Sequence, residues 1–183
     1  LNGQQLTPLA HRGELVARTA DKQFYPRVEG SFNKVIRKGT NPTNYWWEVT
    51  DKSGTVYSYG GTASGGIDEG AVLRTDGATV TDNIANWALV EVRDLNGNFV
   101  RYHCTKQQDT GVVGGSVQGY NTYVDRITYT GNGIAEGDYE VLFVRDRDKN
   151  EAKRIDVSID ARLGFKRVTA DLLREIKVNY NNQ

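Results

Sequence analysis

WEVTDKSGTVYSY at residues 47–59 and WALVEVRDLNGNFVRY at residues 87–102 are two segments that share one spacing of turn residues. In each, an Asp precedes a Gly by three residues and a Tyr follows that Gly by five: Asp51, Gly54 and Tyr59, then Asp94, Gly97 and Tyr102. An Asp side chain favours the start of a tight turn, and Gly adopts a positive φ without steric cost. Because apolar and aromatic residues flank both turns, each segment predicts a β-hairpin. The repeat indicates a scaffold built from hairpins and carries no direct chemical signal.

Alternation of apolar and polar residues predicts further strands outside the two hairpins. The predicted strands are Tyr139–Arg145, residues 153–162, a segment around Ile127 and Tyr129, and residues 176–180. We expect a charged hairpin tip at residues 146–151 to join the first two of these strands. A short helix over residues 170–175 is the alternative for the last segment, and the clean alternation that follows favours a strand.

Turn signals recur about every 8–12 residues, which is typical of an all-β domain. The clearest loops are the Gly-rich or Pro-containing stretches 39–44, 60–66 and 106–119. No helical periodicity extends beyond about two turns. The sequence therefore predicts antiparallel hairpins that form a sandwich or a partly open barrel-like sheet, with little helix. We expect residues 1–183 to be one β-rich domain.

Composition restricts the classes of partner and site. Lys plus Arg and Asp plus Glu both number 23, so the chain lacks the basic field of nucleic-acid-binding proteins, and we expect no such partner. Cys104 is the single cysteine, which excludes an intrachain disulfide and indicates a buried, inert thiol in an apolar strand. The sequence contains no run of 18 apolar residues, so it predicts no membrane-spanning helix. The chain starts at Leu1 without a signal peptide, and we expect an excised N-terminal-type segment of a longer protein.

Residues suited to catalysis or metal binding are scarce. The chain has two histidines, His11 in an early loop and His103 at an expected surface position of a strand. Asp138 and Glu140 share a face if they lie in a strand, but one strand does not form the cleft that a carboxylate pair needs. The turn at Asp94 lacks the closing Glu of a calcium loop. We expect no catalytic residue, no metal and no cofactor.

Aromatic residues provide the one binding hypothesis that the residues support. Trp46 and Trp47 are consecutive, so in a strand they face opposite sides of the sheet. An outward Trp, with Tyr57 and Tyr59 nearby, is suited to stacking on a sugar ring or anchoring a partner. Burial of both tryptophans beneath another layer is the alternative. These four residues are the candidate binding or packing set.

An ordered series of motifs resembles one protein family. The motifs are Leu1-Asn-Gly3, Tyr25-x-Arg27-x-Glu29-x-x-Phe32, Tyr45-Trp-Trp47-Glu-Val-x-Asp51-x-x-Gly54, Asp94-x-x-Gly97-Asn98, Tyr123-Val-Asp-Arg-Ile127-Thr-Tyr129-Thr-Gly131-Asn132, and Arg162-x-Gly164-Phe165. In this order they are similar to the N-terminal region of SpvB and of the B component of insecticidal Tc toxin complexes, which is related in style to Rhs/YD-repeat proteins. Each motif alone is weakly specific, whereas the ordered set spans nearly the whole chain.

The resemblance implies a β-rich, non-catalytic region that forms part of a shell or delivery scaffold. In SpvB the toxic activity lies in a separate C-terminal ADP-ribosyltransferase domain, whose Glu-x-Glu is absent from this sequence, as are strings of YD repeats. The first hypothesis is therefore a structural wall module of a bacterial protein that is secreted or on the cell surface. Its expected partners are the remainder of the parent chain or a toxin-complex subunit, with self-association through an edge strand. An extracellular carbohydrate-binding or adhesive β-sandwich is the alternative, and an enzyme is the weakest hypothesis.

Overall fold

The computed structural model describes residues 3–11, 13–15, 17–75 and 83–180. For His11 it describes the backbone and not the side chain. Leu1 and Asn2 of the opening motif and the His11 side chain lie outside the described residues. The strands are β1 Leu6–Pro8, β2 Ala10–His11, β3 Glu14–Leu15, β4 Lys22–Pro26, β5 Lys34–Lys38, β6 Trp46–Thr50, β7 Val56–Tyr59, β8 Gly61–Thr62, β9 Gly66–Ile67, β10 Val72–Leu73, β11 Asn86–Trp87, β12 Leu89–Arg93, β13 Asn98–Asp109, β14 Gly119–Asn132, β15 Tyr139–Arg145, β16 Ser158–Asp160, β17 Arg167–Thr169 and β18 Leu173–Tyr180. One 3-10 turn, Arg147–Lys149, is the only helical element in these ranges.

The fold is all-β and is dominated by one open sheet of twelve strands. Its main path runs β1-β4-β5-β6-β7-β12-β13-β14-β15-β18, and neighbouring strands on this path pair antiparallel. At the other end of β14, Tyr120 pairs in parallel with Arg167 of β17, which also pairs with β16. The sheet is therefore mixed and does not close into a barrel. The smaller pairs β2–β3, β8–β9 and β10–β11 lie outside this sheet.

Both predicted hairpins form. β6 pairs with β7 around the turn at Asp51, and β12 pairs with β13 around the turn at Asp94. β7 also pairs with β12, so the two hairpins lie side by side in one sheet. The predicted strands at Tyr139–Arg145, around Ile127, and over residues 176–180 are likewise present as β15, β14 and β18.

The predicted hairpin between residues 139–145 and 153–162 is wrong. β15 pairs with β18 instead, from Tyr139 opposite Tyr180 to Arg145 opposite Leu173. Within residues 153–162 only β16 forms a strand, and Ile155 is fully exposed. Alternation identifies segments that can form strands, but it does not identify their partners. The predicted loop 106–119 is also too long, because β13 continues to Asp109 before β14 begins at Gly119.

The strand registers define an apolar row on one face of the sheet and, from β6 onwards, a polar row on the other face. Residues paired across strands share a face, so the registers define an apolar row: Phe24, Val35, Val49, Tyr57, Val92 and Val100, continued by Tyr102, Ile127, Val141 and Val178. They also define a polar row on the opposite face: Glu48, Ser58, Glu91, Arg101, Thr128, Glu140 and Asn179. The core packs on the apolar row over β5 and β6, where Val35 and Val49 are buried. The same row becomes exposed towards β18.

Candidate functional site

The two repeated turns are held by the same hydrogen bonds. The Asp51 carboxylate accepts from the backbone N–H of Ser53 at 2.8 Å and of Thr55 at 3.1 Å, and Gly54 has φ +84°. The Asp94 carboxylate accepts from the corresponding groups of Asn96 at 2.9 Å and Asn98 at 2.8 Å. Gly97 has φ +82°. These residues therefore shape the hairpins, and their side chains bond within their own turns.

Hydrogen bonding lowers the pKa of both turn carboxyl groups. At Asp51 the principal cause is the bond from the Ser53 hydroxyl, and at Asp94 it is the bond from the Asn98 amide. Each bond favours the ionised form because a carboxylate is the better acceptor. Both groups remain ionised in the neutral range and act as turn anchors.

The four candidate aromatic residues divide between the two faces. Trp46 is buried, with 7% of its surface exposed. Trp47 lies on the apolar face, where its ring meets Phe24 edge-on at 5.1 Å between centroids. Tyr59 is opposite Trp47 across β6 and β7, and the Tyr57 hydroxyl donates to Asp51 at 3.4 Å. The structure thus brings Trp47 and Tyr59 together and separates them from Trp46.

A charged cluster at the centre of the polar face was missed from the sequence. Glu91 accepts from Arg93 at 2.7 Å and from Arg101 at 2.6 Å, while only 7% of its surface is exposed. Arg101 also donates to Glu136 at 3.0 Å, and the same carboxylate lies 3.2 Å from His103. The signal was the placement of Glu91 between Val90 and Val92 in a strand. Its partners depend on register, which the sequence does not show.

Two opposing effects act on the ionisation of Glu91. Burial opposes the charged form, and the hydrogen bonds and charges of Arg93 and Arg101 outweigh it, so the pKa of this carboxyl lies below its usual range. Both carboxylates of the cluster are paired with guanidinium groups, whereas Arg101 Nε has no hydrogen-bond partner among the described residues. The geometry therefore indicates a structural ion network across β12, β13 and the loop at Glu136.

Cys104, the single cysteine of the chain, is a weak nucleophile in this setting. Burial raises the pKa of the Cys104 thiol to about 11, so the thiolate is scarce at neutral pH. Across the described ranges, no three His, Cys, Asp or Glu side chains are grouped to hold a metal ion. No helix in the described part of the chain has the length and apolar character of a membrane span.

The two ends of the main sheet path differ as surfaces. β1 is three residues long and ends in Pro8, which limits further pairing. β18 is eight residues long and contains no proline, and among the described strands it pairs only with β15. Ile176 and Val178 on its apolar face are 56% and 68% exposed. β18 is therefore a long strand edge beside exposed apolar side chains, which is the geometry of a pairing surface.

Comparison with known proteins identifies the family. Residues 7–156 match the family described as SpvB, Salmonella virulence plasmid 65kDa B protein. The chain belongs to the SpvB family. The resemblance drawn from the ordered motifs is thereby confirmed. No curated protein sequence matches this SpvB-family chain.

Solved structures share the fold of this SpvB-family chain at low sequence identity. The N-terminal domain of effector protein SpvB from Salmonella typhimurium strain LT2 matches with a TM-score of 0.74 and 15% identity, over 98% of this chain and 68% of that one. A crystal structure of TcdB2-TccC3-TEV matches with a TM-score of 0.69 and 14% identity, over 97% of this chain and 10% of that one. A Photorhabdus luminescens Tc holotoxin pore matches with a TM-score of 0.68 and 15% identity, with the same coverages. The chain thus corresponds to about a tenth of the length of the Tc toxin chains.

Proposed function

We propose that the chain is a non-catalytic structural module of a secreted or cell-surface bacterial delivery protein, in which its open sheet is one section of a wall. Membership of the SpvB family and a fold shared with a small part of Tc toxin chains support this role. The observation that carries the proposal is the edge at β18. A sheet that becomes less covered towards a long, unblocked edge is suited to extension by further β-structure.

The apolar row supplies the second part of this argument. Val35 and Val49 are 1% and 4% exposed at one end of the row, and Val178 is 68% exposed at the other. Valine side chains on one face of the sheet are therefore buried over β5 and β6 and exposed at the β18 edge. A further segment of the parent chain, or a toxin-complex subunit, that pairs with β18 would extend the hydrogen-bond ladder of the sheet. The same partner would also cover the exposed apolar side chains.

Self-association of the isolated chain tests the edge. We expect sedimentation velocity to show concentration-dependent association, because two copies of β18 can pair about a two-fold axis. The double variant Ile176→Lys with Val178→Lys should remain monomeric, since charges beside an edge strand oppose pairing. Both side chains point to solvent, so the fold itself should tolerate the change.

A matched control separates the edge from charge in general. Val112→Lys with Val113→Lys adds the same charge in the loop between β13 and β14, where both valines are exposed. This variant should associate as the unmodified chain does. An unmodified chain that stays monomeric at high concentration, or equal association of the two double variants, contradicts the proposal.

The carbohydrate-binding alternative receives less support from the geometry. It requires an exposed aromatic platform, and Trp46 is buried while Trp47 is engaged by Phe24. The side chains that line the cavity beside Trp47 are mostly aliphatic or aromatic and offer few of the hydrogen-bonding groups that a sugar ring would need. The structural module therefore remains the function that the site supports best.

A further inference from the structure

A cavity of about 430 Å³ lies on the apolar face, away from the β18 edge. Its lining includes Trp47, Tyr59, Ala85, Asn86 and Trp87, together with aliphatic side chains of the sheet. Its volume falls within the range of roughly 300–1,000 Å³ that is common for small-molecule sites. Most of the lining is aliphatic or aromatic, and none of the lining side chains carries a formal charge at neutral pH. The cavity therefore favours an apolar ligand of modest size.

The aromatic walls of the cavity are fixed by packing. Trp47 and Trp87 meet edge-to-face, with centroids 5.8 Å apart and ring planes at 84°. The Trp87 indole N–H donates to the Tyr45 carbonyl at 2.5 Å, which fixes the orientation of that ring. Gly60 has φ +71°, and a Cβ at this position would overlap the Trp87 ring. Only glycine at this position lets the ring lie this close to the sheet, so protein contacts alone hold the Trp87 wall of the cavity.

Three lining residues carry hydrogen-bonding groups with no protein partner, and one of them, Asn86, is exposed to solvent. Within the part of the chain that the structure describes, no hydrogen bond involves the side chains of Trp47, Tyr59 or Asn86. Burial raises the pKa of the Tyr59 hydroxyl, with a smaller contribution from Tyr57. The Tyr59 group is therefore a neutral donor and acceptor in partly desolvated surroundings.

We infer that this cavity binds a single aromatic ring bearing one hydrogen-bonding group, the chemistry of a phenol or an indole. Aromatic rings prefer edge-to-face or offset contacts with other rings at centroid distances of roughly 4.5–7 Å. Trp47 and Trp87 both line the cavity, so an aromatic ligand inside it has two rings within reach. The few unpaired polar groups suit one substituent, and they are too few for the several hydroxyls of a sugar. The inference concerns a ligand site and is independent of the assembly role proposed for β18.

The probe p-cresol tests the site, and nuclear magnetic resonance of the tryptophan indole N–H groups is the readout. The three tryptophans of the chain provide an internal control, because Trp46 lies on the opposite face of β6 from Trp47. We expect p-cresol to shift the Trp47 and Trp87 signals with a dissociation constant on the order of 1 mM, and to leave the Trp46 signal unchanged. The capped peptide acetyl-Gly-Gly-Tyr-Gly-Gly-amide offers the same ring within a polypeptide. Tighter binding of the peptide than of p-cresol assigns the ring to a protein partner, and tighter binding of p-cresol assigns it to a free small molecule.

Two variants localise the binding. Ala85→Leu places extra side-chain volume in the cavity and should weaken p-cresol binding at least about tenfold. Asn86→Ala removes one polar group and should weaken binding about threefold to tenfold. Ala152→Leu lies in an exposed loop and should bind as the unmodified chain does. Unfolding curves of all three variants show whether the fold is intact.

Three outcomes would overturn the inference. One is the absence of any shift at Trp47 and Trp87 with p-cresol at about ten times the expected dissociation constant. Another is p-cresol binding that Ala85→Leu, in a folded protein, leaves unchanged. The third is binding of methyl β-glucoside, in place of p-cresol, with the same sensitivity to Ala85→Leu.

Discussion

At the scale of single residues, the hairpin turns depend on an Asp that binds the backbone and a Gly with positive φ. Asp51 with Gly54 and Asp94 with Gly97 make equivalent contacts in two places. The sequence predicted these turns because their hydrogen bonds join residues that are close in sequence, so the spacing of the residue types indicates them. It did not predict the ion pairs of Glu91, which join residues that only the register brings together.

Gly97→Ala should destabilise the chain by about 1–2 kcal/mol, because an alanine at positive φ is strained. A Cβ at Gly97 has no neighbour nearer than 3.7 Å, so the effect isolates the backbone conformation. Gly30→Ala is the matched control, since its Cβ would meet nothing within 4 Å and its φ is not in the left-handed region. Urea unfolding measures both variants. Equal stability of the two variants would show that the turn does not require glycine.

Asp94→Asn should reduce stability at neutral pH and have little effect in acid. The folded pKa of Asp94 is below its ordinary value, so its stabilising contribution is present above about pH 4. That contribution is lost as the pH falls through the folded pKa. Urea midpoints of the two proteins should therefore converge in acid. A difference that stays constant from about pH 7 to about pH 2 would assign the effect to something other than the charge.

Glu91→Gln should cost about 2 kcal/mol, because it leaves two guanidinium groups without their shared, buried carboxylate. Arg93 and Arg101 retain some access to water, which keeps the cost below that of a fully buried pair. Asp156→Asn is the comparison, since its ion pair with Arg154 is exposed to solvent and should change stability much less than the Glu91 variant does. Chemical denaturation with equal losses for both variants would contradict a structural role for the Glu91 cluster.

At the scale of elements, the alternation of apolar and polar residues predicted the positions of strands well and their pairing partners poorly. β14, β15 and β18 occur where the sequence predicts them. The segment 153–162 alternates just as cleanly, yet β15 pairs with β18. Two segments with the same pattern compete for one partner, and the outcome depends on long-range packing. A prediction from one sequence therefore determines which segments can be strands and leaves their order in the sheet open.

Val141→Asp and Ile155→Asp distinguish the observed pairing from the hairpin predicted by alternation. Val141 lies between Ile127 and Val178 on the apolar face, so a carboxylate there should cost about 2 kcal/mol. Ile155 is fully exposed, and its replacement should change stability by less than about 0.5 kcal/mol. Thermal unfolding measures both. A comparable loss at Ile155 would indicate that residues 153–162 pack as a strand after all.

At the scale of the whole molecule, the apolar face of the sheet is covered over β5 and β6 and exposed at β18. The short β1 with Pro8 limits growth on one side, whereas β18 leaves a long edge on the other. The all-β class and the family were predictable, because both depend on many residues spread along the chain. The asymmetry of the two edges was not predictable from the sequence, because it results from the order of strands in the folded sheet. This asymmetry gives the proposed wall module a direction of extension.

Hydrogen–deuterium exchange of the β18 amides, measured across a dilution series, tests the open edge most directly. Amides that face β15 should be protected at every concentration. The alternate amides, which face outward, should exchange rapidly in dilute solution and gain protection as copies associate. Protection of every amide from residue 173 to residue 180 at the lowest concentration would mean that the edge is already sealed, and the wall-module account would be wrong.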